Sequence, residues 1–323
     1  MTPDPPISST GPGASATHDG VAAGEKGIAV GGNVEGGIHY HEASSTPTLR
    51  ATPPAPPPHF TGREDDLAKF TQLLTSGQSV AITALQGMGG IGKTALAQKL
   101  AECVRDQFPG GVLWWTLGPA TDVFTALDVW ARHADPRADL TALPTAEARA
   151  EAVRPLLARL GRMCVIIDDV WDEAAARILM SAIPPGCPIL ITTRDGDLAK
   201  SLRCRVERID ALTDDEAVAL LEKLLGPFEM HKHPERNEVE SKDAHPSTAP
   251  LRGSAQDAYS AACDIAHLTE GLPLALELIA GIADSPADLP VLARELHTRP
   301  TLDVLKRGKT RRRMVQYSGS DSS

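Results

Sequence analysis

Gly87-Met88-Gly89-Gly90-Ile91-Gly92-Lys93-Thr94 satisfies the pattern G-x-x-x-x-G-K-[ST] in full. Each position has a physical task. Glycines let backbone N–H groups turn inward around an anion without a clashing side chain. The helix that follows offers the positive end of its dipole, a lysine reaches the outer phosphates, and a hydroxyl can ligate Mg²⁺. The flanks agree: Ser79 to Leu85 is a short β-type run, and Lys93 to Gln107 carries Leu96, Leu100 and Val104 on one helical face. A plain Gly-rich turn before a helix leaves the Lys-Thr pair unexplained. The candidate phosphate site is therefore Gly87, Met88, Gly89, Gly90, Ile91, Gly92, Lys93, Thr94 and Ala95, with ATP or ADP as the expected ligand and Lys93 as its catalytic cation.

Downstream, Cys164 to Val170 is apolar on both faces until it reaches Asp168-Asp169. An acid at the tip of a buried strand is where such proteins hold Mg²⁺, and its neighbour can polarise an attacking water. Thr94 and Asp168 are thus the candidate metal residues, and Asp169 the candidate water activator. Pro188 to Thr193 forms a further strand ending at Arg194, which reads equally as a phosphate sensor or as a surface arginine at a strand end. Cys204 to Ile209 is a possible fifth strand, and Gly111 to Leu117 a second. Helices are expected over Asp65–Thr75, Thr121–His133 and Thr145–Leu160, the last two opened by threonine caps. Apolar strands separated by helices predict an α/β fold, a three-layer sandwich around a parallel sheet.

Thr213-Asp214-Asp215-Glu216 matches a capping box before Ala217 to Leu225. Further helices are expected over Ala255–Thr269 and Leu272–Ala283. The expected organisation is a disordered Gly/Pro-rich region and linker (1–59), the phosphate-binding domain (60–212), a helical subdomain (213–300) with a polar insertion at 226–254, and a basic, Ser-rich tail (301–323). Within the first region, Gly27 to Tyr40 reads as a Gly-rich linker in preference to a strand pair. Pro53 to Pro58 reads as a stiff spacer holding earlier residues away from the fold.

Composition narrows the function classes. The formal net charge of −10 opposes broad attraction to nucleic acid or anionic membranes. Lys306 to Arg313 is the local exception, read first as a solvated tail. Cys103, Cys164, Cys187, Cys204 and Cys263 form no C-x-x-C pair, which suits a reducing compartment. With no leader-like start and no apolar run long enough to span a bilayer, the expectation is a cytoplasmic chain. The histidine pairs His39/His41 and His231/His233 lack a third ligand and are not taken as metal sites. Trp114, Trp115 and Trp130 read as core.

The order of these motifs resembles the NB-ARC family of STAND ATPases. Phe60-Thr61-Gly62-Arg63-Glu64 is similar to the family's entry motif. Gly87 to Thr94 has its G-M-G-G-I-G-K-T form, Ile167 to Trp171 its I-D-D-V-W, Thr192-Thr193-Arg194 its T-T-R, and Gly271 to Leu276 its G-L-P-L-A-L. The resemblance implies that Arg63 lies near the nucleotide, that Arg194 senses phosphate, that Pro273 packs by the base, and that the last helices close over the ligand. The family ordinarily continues into a winged-helix domain and sensor repeats. Their absence after Leu305 leads to the expectation of a truncated or stand-alone module. The leading reading is a Mg²⁺-dependent adenine-nucleotide switch with slow hydrolysis, its protein partner or self-association unknown. Alternatives are an interaction protein with a vestigial ATPase and, last, a transcription-regulator fragment.

Overall fold

Alternate residues of four strands face opposite ways, and both sets are buried. In the computed structural model, which describes the backbone at 21–24 and 27–30 and residues 51–84, 89–120, 122–228 and 255–298, Leu113, Trp115, Val165, Ile167, Ile189 and Ile191 enter one core. Val80, Ile82, Val112, Trp114, Cys164, Ile166 and Leu190 enter another. A sheet apolar on both faces must be covered on both. Helices α1 (Glu64–Thr75) and α2 (Lys93–Val104) supply one cover. Helices α3 (Val123–Ala134), α4 (Ala146–Ala158), α5 (Glu173–Ser181) and α6 (Gly196–Ser201) supply the other.

The sheet comprises β3 (Val80–Ala84), β4 (Val112–Thr116), β5 (Cys164–Val170), β6 (Ile189–Thr193) and β7 (Arg205–Ile209), in the order β4-β5-β6-β3-β7. Every pairing is parallel. The strand that leads to the phosphate loop, β3, and the strand that carries the aspartates, β5, are therefore not neighbours, and β6 lies between them. This is the expected α/β three-layer sandwich.

Several local expectations change. Helix α3 is capped by Asp122, whose carboxylate accepts from the Phe124 N–H, and starts at Val123; the threonine expected as its cap, Thr121, lies outside the described residues. Thr145 caps α4 as expected. Helices α5 and α6 were not anticipated. Each opens on an aspartate, Asp172 or Asp195, that accepts N–H groups of its own first turn.

The ordered chain also reaches back past the expected boundary. Strand β4 is the edge of the sheet, and its Trp114 N–H donates to the Ala51 carbonyl at 2.6 Å. An unpaired edge amide draws an acceptor, so the chain at Ala51, just before the Pro-rich segment, lies against the domain. At the segment's far end the Phe60 N–H donates to the Pro57 carbonyl at 3.0 Å.

Helices α7 (Asp214–Leu225), α8 (Ala255–Leu268), α9 (Pro273–Ala280) and α10 (Leu289–Thr298) pack around a separate core that includes Leu221, Ile265, Leu276, Ile279 and Leu289. The Thr213–Glu216 capping box forms as predicted. Helix α10 is an addition to the sequence reading. The link to the sheet is tight at Leu212, whose N–H donates to the Gly271 carbonyl at 3.0 Å.

Residues 1–49 form a unit of their own, in which β1 (Val21–Gly24) and β2 (Gly27–Val30) pair antiparallel, Val21 opposite Val30. The pair spans residues 21–30, and of the segment Gly27 to Tyr40, read as a linker in preference to a strand pair, only Gly27–Val30 is described. Residues 31–40, most of the polar insertion, the basic tail and the four discounted histidines lie outside the described residues.

Candidate functional site

The site forms at the C-terminal ends of the strands, where parallel sheets place their loops. Helix α2 begins at Lys93 after Gly92, which has φ +95°, and no side chain caps its first turn. Its leading amides at Lys93, Thr94 and Ala95 therefore face a place suited to an anion. Gly90 has φ +86°. Gly87 and Met88 lie outside the described residues.

Asp168 is the buried acid of the site, 2% exposed at the end of β5. The Thr94 hydroxyl donates to its two oxygens at 3.0 and 3.2 Å. From the intervening strand β6, the Thr192 hydroxyl donates to Oδ1 at 2.6 Å and accepts the Asp169 N–H at 2.8 Å. The β5–β6 register slips between Ile167 and Val170, and Asp169 takes φ +54°. That irregularity turns the second acid out of the alternation, so both carboxylates sit at one strand end. Burial raises the Asp168 carboxyl above its ordinary pKa, against the pull of the Thr192 and Thr94 hydroxyls. Burial lowers the Lys93 ammonium, helped by the positive charge of Arg194, while Asp169 and Asp168 oppose the shift. A buried acid held by two hydroxyls, beside a half-buried ammonium, is suited to a hard cation and an anionic ligand.

Arg194 is exposed, with its guanidinium over the Trp171 ring at 5.1 Å. A Cβ built on Gly89 would lie 3.6 Å from its Nη1, so the cation stands beside the phosphate loop. Arg63 is 8% exposed and has φ +66°. Its Nη2 donates to the carbonyls of Ile91 and Asp210, each at 2.8 Å, so the side chain braces the loop from behind. The Arg63 N–H donates to Glu216 Oε1 at 2.7 Å. Pro273 begins α9 and approaches Gly92; a Cβ there would lie 3.8 Å from its Cγ. Phe60, Thr61, Ala95, Leu220, Pro273 and Glu277 line a small, mainly apolar slot beside the start of α2.

Sequence reasoning named most of these residues but passed over Thr192 as a ligand-holding group and Trp171 as a neighbour of Arg194. The signal for Thr192 was its place one strand over from the aspartates, which needs the sheet order. Leu274 was also missed as the residue that meets Gly90.

The NB-ARC domain model matches residues 63–231 of the 323. The chain belongs to the NB-ARC family. Membership makes it a nucleotide-binding P-loop module. Regulatory protein AfsR of Streptomyces coelicolor is 34% identical over 57% of this chain and 19% of its own length. Apoptotic protease-activating factor 1 of Danio rerio is 32% identical over 46% of this chain and 12% of its own. The solved structure of a Signal Transduction ATPase with Numerous Domains (STAND) protein with a tetratricopeptide repeat sensor from Pyrococcus horikoshii superposes with a TM-score of 0.44 at 18% identity, covering 73% of this chain and 32% of that one. This NB-ARC chain thus spans about a fifth or less of the curated relatives named here. Among its described residues, no helix is long and apolar enough to cross a membrane, and no cluster of His, Cys, Asp or Glu is arranged for a metal by side chains of those types alone.

Proposed function

We propose that this chain is an ADP/ATP-binding switch module that works in signalling or regulation in the cytoplasm, with Mg²⁺ as its metal and slow ATP hydrolysis as its reaction. The observation that carries the reading is the cluster of Thr94, Asp168 and Thr192 directly beside Lys93. A carboxylate buried at 2% exposure gains from a cation, and the Thr94 hydroxyl and Asp168 would hold Mg²⁺ between them. The metal would supply charge neutralisation at the phosphate oxygens. Glycine amides from Gly87 to Gly92, with those of Lys93, Thr94 and Ala95, would cradle the phosphates together with the Met88 and Ile91 backbone. Adenine would enter the slot formed by Phe60, Ala95 and Pro273, with Arg63 holding the slot and the loop in register.

For hydrolysis, Asp169 would orient a water whose oxygen bonds to the γ-phosphorus as the bond to the ADP oxygen breaks. Lys93 and Arg194 would stabilise the charge gathering on the phosphoryl oxygens. The water proton would pass to a phosphate oxygen, and ADP and inorganic phosphate would leave. This is catalysis by positioning and electrostatics. Where such a site draws a further arginine from a partner, its absence costs ~10³–10⁵ in rate, so slow turnover is expected of the isolated chain.

The test has two stages. ADP with Mg²⁺ at about 100 times its dissociation constant should stabilise the protein against heat by ~2.7 kcal/mol, and Lys93→Ala should abolish the shift. Single-turnover ATP hydrolysis should then exceed that of Lys93→Ala. Equal rates for the two proteins would remove the enzymatic claim and leave the binding one.

A further inference from the structure

Among the described residues, Trp171 is the bulkiest apolar side chain left half exposed, at 48%. Its place is set by the backbone. Val170 and Thr193 are register partners at the ends of the parallel strands β5 and β6. The Thr193 hydroxyl donates to the Val170 carbonyl at 2.8 Å and accepts the Asp195 N–H at 3.1 Å. Trp171 and Arg194 are the next residues along the two strands. They leave the sheet side by side, which sets the guanidinium carbon 5.1 Å from the ring centre.

Other partners for that guanidinium are close but engaged. Trp171, Arg194, Asp195, Asp197 and Lys200 border a cavity of about 710 Å³. The Asp195 carboxylate accepts the Asp197 and Leu198 N–H groups as the cap of α6, and Asp197 is bonded to the Lys200 ammonium at 2.9 Å. Among the described residues Arg194 forms no ion pair with either acid. Among the described residues the indole face is the partner that holds the cation, and it holds it next to Gly89 of the phosphate loop. Cation–π attraction tolerates partial exposure, since the ring gives up no hydrogen bonds to water in making it.

The geometry points to Trp171 as a positioning residue that keeps Arg194 over the phosphate loop, where it distinguishes a nucleoside triphosphate from a diphosphate. This rests on the nucleotide reading above. Among the described residues, Trp171 is not part of the lining of the base slot. Its effect is confined to the ligand group that Arg194 reaches. Removing the ring frees the guanidinium to swing into the cavity.

Calorimetry with Mg²⁺, using ADP and a non-hydrolysable ATP analogue as the two probes, tests the inference on the full chain. The proteins compared are wild type, Trp171→Leu, Trp171→Phe, Arg194→Ala, and Trp171→Leu combined with Arg194→Ala. Trp171→Leu should leave ADP affinity unchanged and weaken the triphosphate analogue roughly two- to tenfold. Trp171→Phe should restore most of the loss, because a ring face is what matters. The double variant should bind no worse than Arg194→Ala alone, as expected for two residues acting through one contact. Unchanged ADP affinity in Trp171→Leu also shows that the protein is folded. An unaltered ratio of the two affinities in Trp171→Leu, additive losses in the double variant, or a phenylalanine as damaging as leucine would each overturn the inference while leaving nucleotide binding intact. A wild-type protein that binds neither probe would remove both readings together.

Discussion

Leu274 rests on Gly90: its N–H donates to the Gly90 carbonyl at 3.3 Å, and a Cβ built on Gly90 would come within 2.8 Å of Leu274 Cβ. The first turn of α9 thus touches the phosphate loop with no intervening side chain. A displacement of the loop at Gly90 would therefore be felt at α9.

Gly90→Ala is expected to be costly for two separable reasons. The φ of +86° strains any residue with a Cβ, at roughly 1–3 kcal/mol, and the new methyl strikes Leu274. Adding Leu274→Gly should return the steric part but not the strain. Urea unfolding of the single and double variants checks this. Equal stability of Gly90→Ala and wild type would show that the contact is not formed in solution.

Arg63 is predicted to act as a structural brace as much as a ligand contact. Its guanidinium satisfies the Ile91 and Asp210 carbonyls across two connections. Arg63→Ala leaves both acceptors without this partner in a buried setting, a loss of roughly 2–4 kcal/mol. Arg63→Lys should recover little, because one ammonium cannot reproduce a planar fork. Lys69→Ala, which breaks the half-exposed pair with Glu207 at 2.6 Å, should cost about 1 kcal/mol or less. Denaturation midpoints for the three proteins would rank them, and an Arg63→Ala loss as small as that of Lys69→Ala would count against the brace.

Glu216 gives the protein an acid-sensitive joint. Burial alone would raise its carboxyl, but the N–H groups of Arg63 and Thr213, the Thr213 hydroxyl and the Arg63 charge outweigh it, and its pKa falls below the ordinary 4.5. A folded-state pKa below the unfolded one means stabilisation that is complete above pH 4.5 and fades as pH drops through the folded value. Glu216→Gln keeps an oxygen for the capping box but loses the charge that favours the Arg63 and Thr213 donors, so it should lose about 1 kcal/mol or less at neutral pH. Its stability should also fall less steeply than wild type below pH 4.5. Parallel acid limbs in thermal scans of the two proteins would contradict this.

Much of this was legible in the sequence because its cause is local. The phosphate loop needs glycines at fixed places, and Thr213 and Glu216 cap one helix end four residues long. Strand β5 was bounded correctly, Cys164 to Val170, because it is apolar on both faces and ends in charge. What escaped depends on partners distant in sequence. That Thr192 stands between the two acids and the phosphate strand follows from the order β5-β6-β3, which no local pattern encodes. Ala51 is held by an edge amide on β4, and Arg63 by carbonyls from Ile91 and Asp210. Helices α5 and α6 were missed for a different reason. They are short, nine and six residues, and too brief for an apolar period to repeat, although Asp172 and Asp195 announced their starts.

Asp168 carries a prediction whose sign runs against intuition. Its carboxyl is raised by burial in the folded state, so the folded protein holds this proton to higher pH than the unfolded chain does. Without ligand, the group therefore costs stability, and the cost grows as pH rises from the ordinary 3.8 through the raised folded value. Asp168→Asn keeps an oxygen to accept from Thr192 and Thr94 but carries no charge. The ligand-free variant should melt at or above the wild-type temperature at neutral pH, and the difference should vanish in acid. With ADP the order should reverse, because Mg²⁺ no longer gains a carboxylate: the magnesium-dependent part of the thermal shift should be lost while a magnesium-independent part remains. Scans with and without Mg²⁺ and with and without ADP separate the two effects. A ligand-free Asp168→Asn protein markedly less stable than wild type at neutral pH would mean that the carboxylate serves the fold and not the cation.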